Sequence, residues 1–140
     1  MFSSDNSDDK QNYIQQMKLN IATLGTAFPK QETFFYMNWM PGGVNTMYDL
    51  AETAKKYHVG LGGPDVHPDV NMQSYPAIHA FKDDVTVMMD IQWSNYDHTK
   101  RYGDTEELYT FSTSYLGAKY LCWMPRNGLT KNILKTIHSH

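Results

Sequence analysis

The ten residues DVTVMMDIQW, Asp84 to Trp93, limit the fold more than any other stretch of this chain. Val85, Val87, Met89 and Ile91 alternate with Thr86, Met88, Asp90 and Gln92, which is the period of two of a β-strand. Both faces stay mostly apolar as far as Asp90, so the pattern predicts a strand covered on both sides, as strands of parallel sheets are. Asp90, Gln92 and Trp93, with Tyr96, Asp97 and His98 just beyond, then gather at its carboxyl end. That end is where sheets of α/β proteins bind ligands.

Around this strand, helical and strand-like stretches alternate. Ser7 followed by Asp8 and Asp9 suits a helix start, and Ile14, Met17, Ile21 and Leu24 share one face at helical spacing. This predicts a helix over about 8–24, stopped by Gly25 and Pro29. TFFYMNWMPGG (33–43) reads as a strand closed by a Pro-Gly-Gly turn. The clearest helix follows, with Asn45 or Thr46 as its cap and Asp49 completing a capping box. Met47, Leu50, Ala51 and Ala54 form its buried stripe. Val59 and Leu61 mark a short buried strand within HVGLGGPDVHP (58–68), where Gly60, Gly62 and Gly63 let other backbone or a ligand come close. Ser74, Tyr75 and Pro76 open a short helix to Phe81. After the central strand, Asp104 with Glu107 opens a helix through Leu108, Phe111, Tyr115 and Leu116 that Gly117 ends. Tyr120–Pro125 is a fourth strand, and Thr130 opens a last helix carrying Ile133, Leu134 and Ile137 on one side.

Four βα units predict an α/β fold with a parallel sheet and right-handed crossovers, in one domain over 1–140 whose first seven residues are disordered. Two architectures fit: a small open, doubly wound sheet, or half of an eight-fold (TIM) barrel. The four strand ends, NWMPGG, GGPDVHP, IQWSNYD and CWMPRNG, all finish in aromatics or Gly/Pro turns with polar groups. An open sheet decorates mainly the loops at its switch point. Four decorated loops fit one shared mouth, and favour the half barrel. A half barrel has two raw edges, which soluble proteins cover or pair, so a homodimer that closes the sheet is expected.

Composition narrows the partners. With 12 Lys+Arg against 15 Asp+Glu there is no basic stripe for nucleic acid, and no apolar run reaches membrane-spanning length. The opening MFSSDNSDDK lacks the basic start and apolar segment of a signal peptide, so a soluble chain is expected, its compartment left open. Cys122 is the single cysteine, which excludes an internal disulfide; its apolar setting, KYLCWMP, reads as a small core residue. No dinucleotide fingerprint, phosphate loop or nucleophile elbow occurs, and no cofactor is called for.

GGPD after a helix ending AKKYHVG, then DIQWSNY, then a helix leading into LGAKYLCW, resembles the C-terminal half of a glycoside-hydrolase-type (β/α)8 barrel over roughly residues 33–137. The resemblance implies that these are the last four of eight strands, with strand-end aromatics stacking on sugar rings. Such barrels usually carry a catalytic Glu at the end of the fourth strand and another at the end of the seventh. The fourth is not among these strands, and the seventh-like strand carries Asp90 and Gln92 instead of Glu.

Asp65, held by a Gly-Gly-Pro turn, is the leading carboxylate for acid, base or sugar-hydroxyl work, against the plainer reading of a turn cap. Asp90 is its candidate partner, if their strands are adjacent, for the carboxylate pair of a glycosidase. Asn38 and Gln92 suit hydrogen bonds to sugar hydroxyls, and Trp39, Trp93 and Trp123, with Tyr96 beside them, suit a stacking platform; Tyr36 and Tyr102 are secondary. His58, His67, His79 and His98 with Asp65, Asp69 and Asp97 assemble on paper into a metal site, but lack ligand spacing, and no metal is expected. The expected function is carbohydrate binding, with glycoside hydrolysis, in a strand-end cleft. A non-catalytic assembly or binding module derived from a barrel, and a metal-dependent hydrolase, are the alternatives.

Overall fold

A computed structural model of the chain describes residues 7–36, 43–65, 74–93, 105–125 and 131–140. Its elements run α1 (Ser7–Ala27), β1 (Phe34–Tyr36), α2 (Val44–Tyr57), β2 (Gly60–Asp65), α3 (Tyr75–Phe81), β3 (Val87–Trp93), α4 (Thr105–Thr110), a π-helical turn (Phe111–Tyr115), β4 (Ala118–Pro125) and α5 (Lys131–Ser139). The four strands form one all-parallel sheet in the order β1-β2-β3-β4. This is the α/β fold of four βα units that the alternation predicts. No described helix is long and apolar enough to cross a membrane.

The two faces of the sheet have different neighbours. Leu61, Val87, Met89 and Ile91 are all but fully buried, in one cluster with Ile21 of α1, Met47 and Leu50 of α2, Ile78 of α3 and Leu116 after the π turn. Burying a side chain of this size contributes about 1.5–3 kcal/mol, which makes this seam between sheet and helices the main source of stability. The alternate strand positions, Phe34, Tyr36, Met88, Tyr120 and Cys122, lie outside that cluster. Of the cover expected on both sides of this strand, the described residues place the apolar core and its helices on one face, as in a barrel wall.

Phe34 and Tyr120 show how far that wall bends. They stand on the two outermost strands, three strand spacings or roughly 14 Å apart in a flat sheet, where their side chains would project side by side. Instead their rings meet edge to face with centroids 5.6 Å apart. The Tyr120 hydroxyl also donates to Glu32 Oε2 at 2.7 Å, and Lys119 Nζ lies 3.3 Å from Glu32 Oε1. Only a sheet that curls, so that β1 and β4 face each other across a concavity, allows these contacts. Gly60 supplies the room: a Cβ there would lie 2.6 Å from the Phe34 ring and 2.9 Å from the Thr86 carbonyl oxygen. The space that the glycines of β2 leave open is filled by the chain's own rings.

Several local expectations shift. Gly25 does not stop α1, which runs to Ala27; its missing side chain lets α1 approach the Tyr57 carbonyl, 2.3 Å from where a Cβ would be. α2 starts at Val44, with Gly43 as its cap and no side-chain cap bond. Thr46 is buried within it, and Asp49 pairs with Lys18 of α1 at 3.0 Å in place of a capping box. The stripe Met47, Leu50, Ala51, Ala54 is buried as expected, and Gly117 ends the fourth helical segment at φ +68. On α5, Leu134 and Ile137 are 48% and 38% exposed, so the apolar side expected to pack is open there.

Gly60→Ala should therefore cost about 1–3 kcal/mol, read as a lower urea midpoint, because ring and backbone both obstruct the new methyl. Gly62→Ala, whose nearest obstacle is the flexible Met88 Cε at 2.8 Å, should cost less; equal costs would contradict the curl. A pH effect follows as well. The hydrogen bond from Tyr120, aided by Lys119, holds the Glu32 carboxyl below its usual range, and Glu32 in turn raises Lys119. The Glu32 contribution is present above the ordinary carboxylate pKa and lost as pH falls through the lowered one; that of Lys119 is lost only at strongly alkaline pH. Protection factors of the β1 amides, corrected for the intrinsic pH dependence of exchange, should fall on acidification, and lose that dependence in Glu32→Gln.

Candidate functional site

Asp90 ends the run of small contacts along the concave face of β3. Its side chain is 1% exposed. The Tyr36 hydroxyl donates to Oδ2, whereas Oδ1 is sealed from solvent and has no hydrogen-bond partner among the described residues. A buried polar atom left unpaired costs about 1–3 kcal/mol, and such atoms are few in native proteins. An acceptor without a donor among the described residues, near the carboxyl end of a parallel strand, makes Asp90 the candidate acceptor of this site.

Tyr36 belongs to β1, two strands from Asp90, and reaches it over Gly62. Tyr36 is in register with Gly62, which is in register with Met88. A Cβ on Gly62 would come within 3.2 Å of the Tyr36 ring. The glycine thus leaves the path along which the phenol crosses to the carboxylate, and Tyr36 remains 43% exposed at the rim. On the other side, Cys122 of β4 is in register with Asp90 and is exposed. The expectation that Cys122 is a core residue is corrected: alternation along β4 turns it to the concave face. Loss of solvation, then the charge of Asp90, push the Cys122 thiol up, which disfavours the nucleophilic thiolate.

Asp65 falls in register with Asp90 on the adjacent strand. The pairing passes from Gly62↔Met88 to Asp65↔Asp90, three residues of β2 against two of β3, so an irregularity in β2 makes this alignment. Bulges of this kind re-aim chains beside functional sites. The strands of the two candidate carboxylates are thus neighbours. Gln92 is in register with Met124, Trp93 with Pro125 and Trp123 with Ile91, all at the carboxyl ends of β3 and β4. Asn38, Trp39, Tyr96 and Tyr102, and His67, His98, Asp69 and Asp97 of the paper metal site, lie outside the described residues. His58 caps α2 at φ 56, at the opposite end of the strands from Asp90, and His79 stacks on Tyr115 at 4.1 Å. Among the described residues no three His, Cys, Asp or Glu are grouped as metal ligands.

Sequence reasoning gave Tyr36 only a secondary place and missed Cys122 as a neighbour of Asp90. The signal for Cys122 was available in the alternation of KYLCWMP, since Tyr120 and Cys122 share a face. For Tyr36 the strand order was needed. The thiol offers a direct readout of the carboxylate: Cys122 should react slowly with iodoacetamide at neutral pH, and Asp90→Asn should accelerate it by lowering the thiol pKa. An unchanged rate would place the carboxylate's charge elsewhere.

Compared with protein-family models, curated proteins and solved structures, the chain finds no match.

Proposed function

We propose that this chain binds a carbohydrate in the mouth at the carboxyl ends of its strands, with Asp90 as the central acceptor. The observation that carries the reading is the buried Asp90 carboxyl group, one oxygen held by Tyr36 and the other unpaired among the described residues. A sugar supplies hydroxyl donors for such an oxygen, and an aromatic rim such as Tyr36 offers a face for its ring. The resemblance of GGPD, DIQWSNY and LGAKYLCW to glycoside-hydrolase barrels supports the same ligand class.

Hydrolysis is the catalytic form of this reading. Asp65 and Asp90 are in register on adjacent strands, whose backbones, at the usual strand spacing of about 4.8 Å, are near enough for two carboxyl groups to share one site. Retaining glycosidases hold their two carboxyl groups about 5–5.5 Å apart, one attacking the anomeric carbon while the other protonates the departing oxygen. By the resemblance, only Asp90, on the seventh-like strand, stands where those barrels usually carry a Glu.

Calorimetric titration with a panel of oligosaccharides tests binding. One sugar should bind, and Asp90→Asn should weaken it at least about tenfold, the worth of a hydrogen bond to a charged group, with circular dichroism unchanged. Tyr36→Phe should weaken it less. Indifference to every sugar, or full affinity in Asp90→Asn, would end the carbohydrate reading. On aryl glycosides, Asp65→Asn and Asp90→Asn should each abolish turnover with the fold intact; turnover that survives either change removes the catalytic form and leaves binding alone.

A further inference from the structure

We infer that two copies of this chain close into one eight-stranded barrel, β4 of each pairing in parallel with β1 of the other about a two-fold axis along the barrel. The sheet ends on one side at β1 and on the other at β4. The outer edge of β4, an eight-residue strand, pairs with no described strand. An open edge of that length is a row of backbone donors and acceptors in search of a strand.

The curl selects the occupant. β1 and β4 face each other across the concavity, as the Phe34–Tyr120 and Glu32–Tyr120 contacts require. A sheet bent this far, with its core on the convex side, is continued by another parallel sheet of the same curvature with its helices outside. A second copy is such a unit. Because the order β1-β2-β3-β4 runs one way round, a two-fold rotation brings β1 of one copy to β4 of the other at both seams at once. Each edge strand then has a partner strand, which is the self-complementarity of an isologous dimer.

On the concave face Tyr36 and Tyr120 are about two-fifths exposed, with Cys122 open beside them. Closure would set two copies of Asp90 around one mouth. This inference does not rest on the sugar, and it is tested without one.

Sedimentation equilibrium of the purified chain should give twice the 16.2 kDa of the monomer. Amide exchange measured across a dilution series should slow with concentration in 34–36 and 118–125, and stay constant in α2. In a sample mixed from isotope-labelled and unlabelled chains, filtered NMR spectra should show contacts between β4 of one copy and β1 of the other. A monomer at all concentrations would overturn the inference, and so would a dimer whose β1 and β4 amides exchange as freely as in dilute solution. Sugar binding by a proven monomer would leave the ligand reading standing while this one falls.

Discussion

The contact between Phe34 and Tyr120 is the interaction on which the rest of this structure depends. Both residues are aromatic, both are on edge strands, and both project to the face opposite the core. Their meeting is possible because Gly60 between them has no side chain. Once the sheet is bent by that contact, its two faces cease to be equivalent. The convex face gains the area on which four helices settle, and the concave face becomes a pit in which a short polar side chain can be shut away from water.

Asp90 owes its environment to that division. On a flat sheet a carboxylate at this position would stand in solvent; here it is buried, bridged by a phenol from two strands away. Glycine appears twice in the explanation, for different reasons. Gly60 makes way for the contact that bends the sheet, and Gly62 makes way for the side chain that reaches the carboxylate. The irregularity after Gly62 then aligns Asp65 with Asp90. A stretch of six residues in β2 thus does much to shape the site.

Much of this was legible in the order of residues. The period of two in 84–93 located the central strand, and the helical stripe of Met47, Leu50, Ala51 and Ala54 located α2, because both patterns are imposed by burial against a neighbour. The place of Asp90 followed from the same alternation. What could not be read was which residues meet across strands. Tyr36 and Asp90 are 54 positions apart, and their contact depends on strand order and on the degree of bend, neither of which any local pattern encodes. Gly25 shows the same limit. A glycine near a helix end suggests a stop by local chemistry, but here a neighbouring helix requires the gap, and the helix runs on past it.

The bend also decides what growth at the edges of the sheet can lead to. A flat four-stranded parallel sheet with both edges open is a template for an endless ribbon, each chain adding its first strand to the fourth strand of the last. The hydrogen bonding at each junction would be the same in a bent sheet, but every addition turns the growing edge further round toward its starting point. Geometry rather than chemistry then stops the process, after a small whole number of chains. The ring pair over Gly60 is in this sense a counting device, since it converts an open-ended tendency to aggregate into one with a last member.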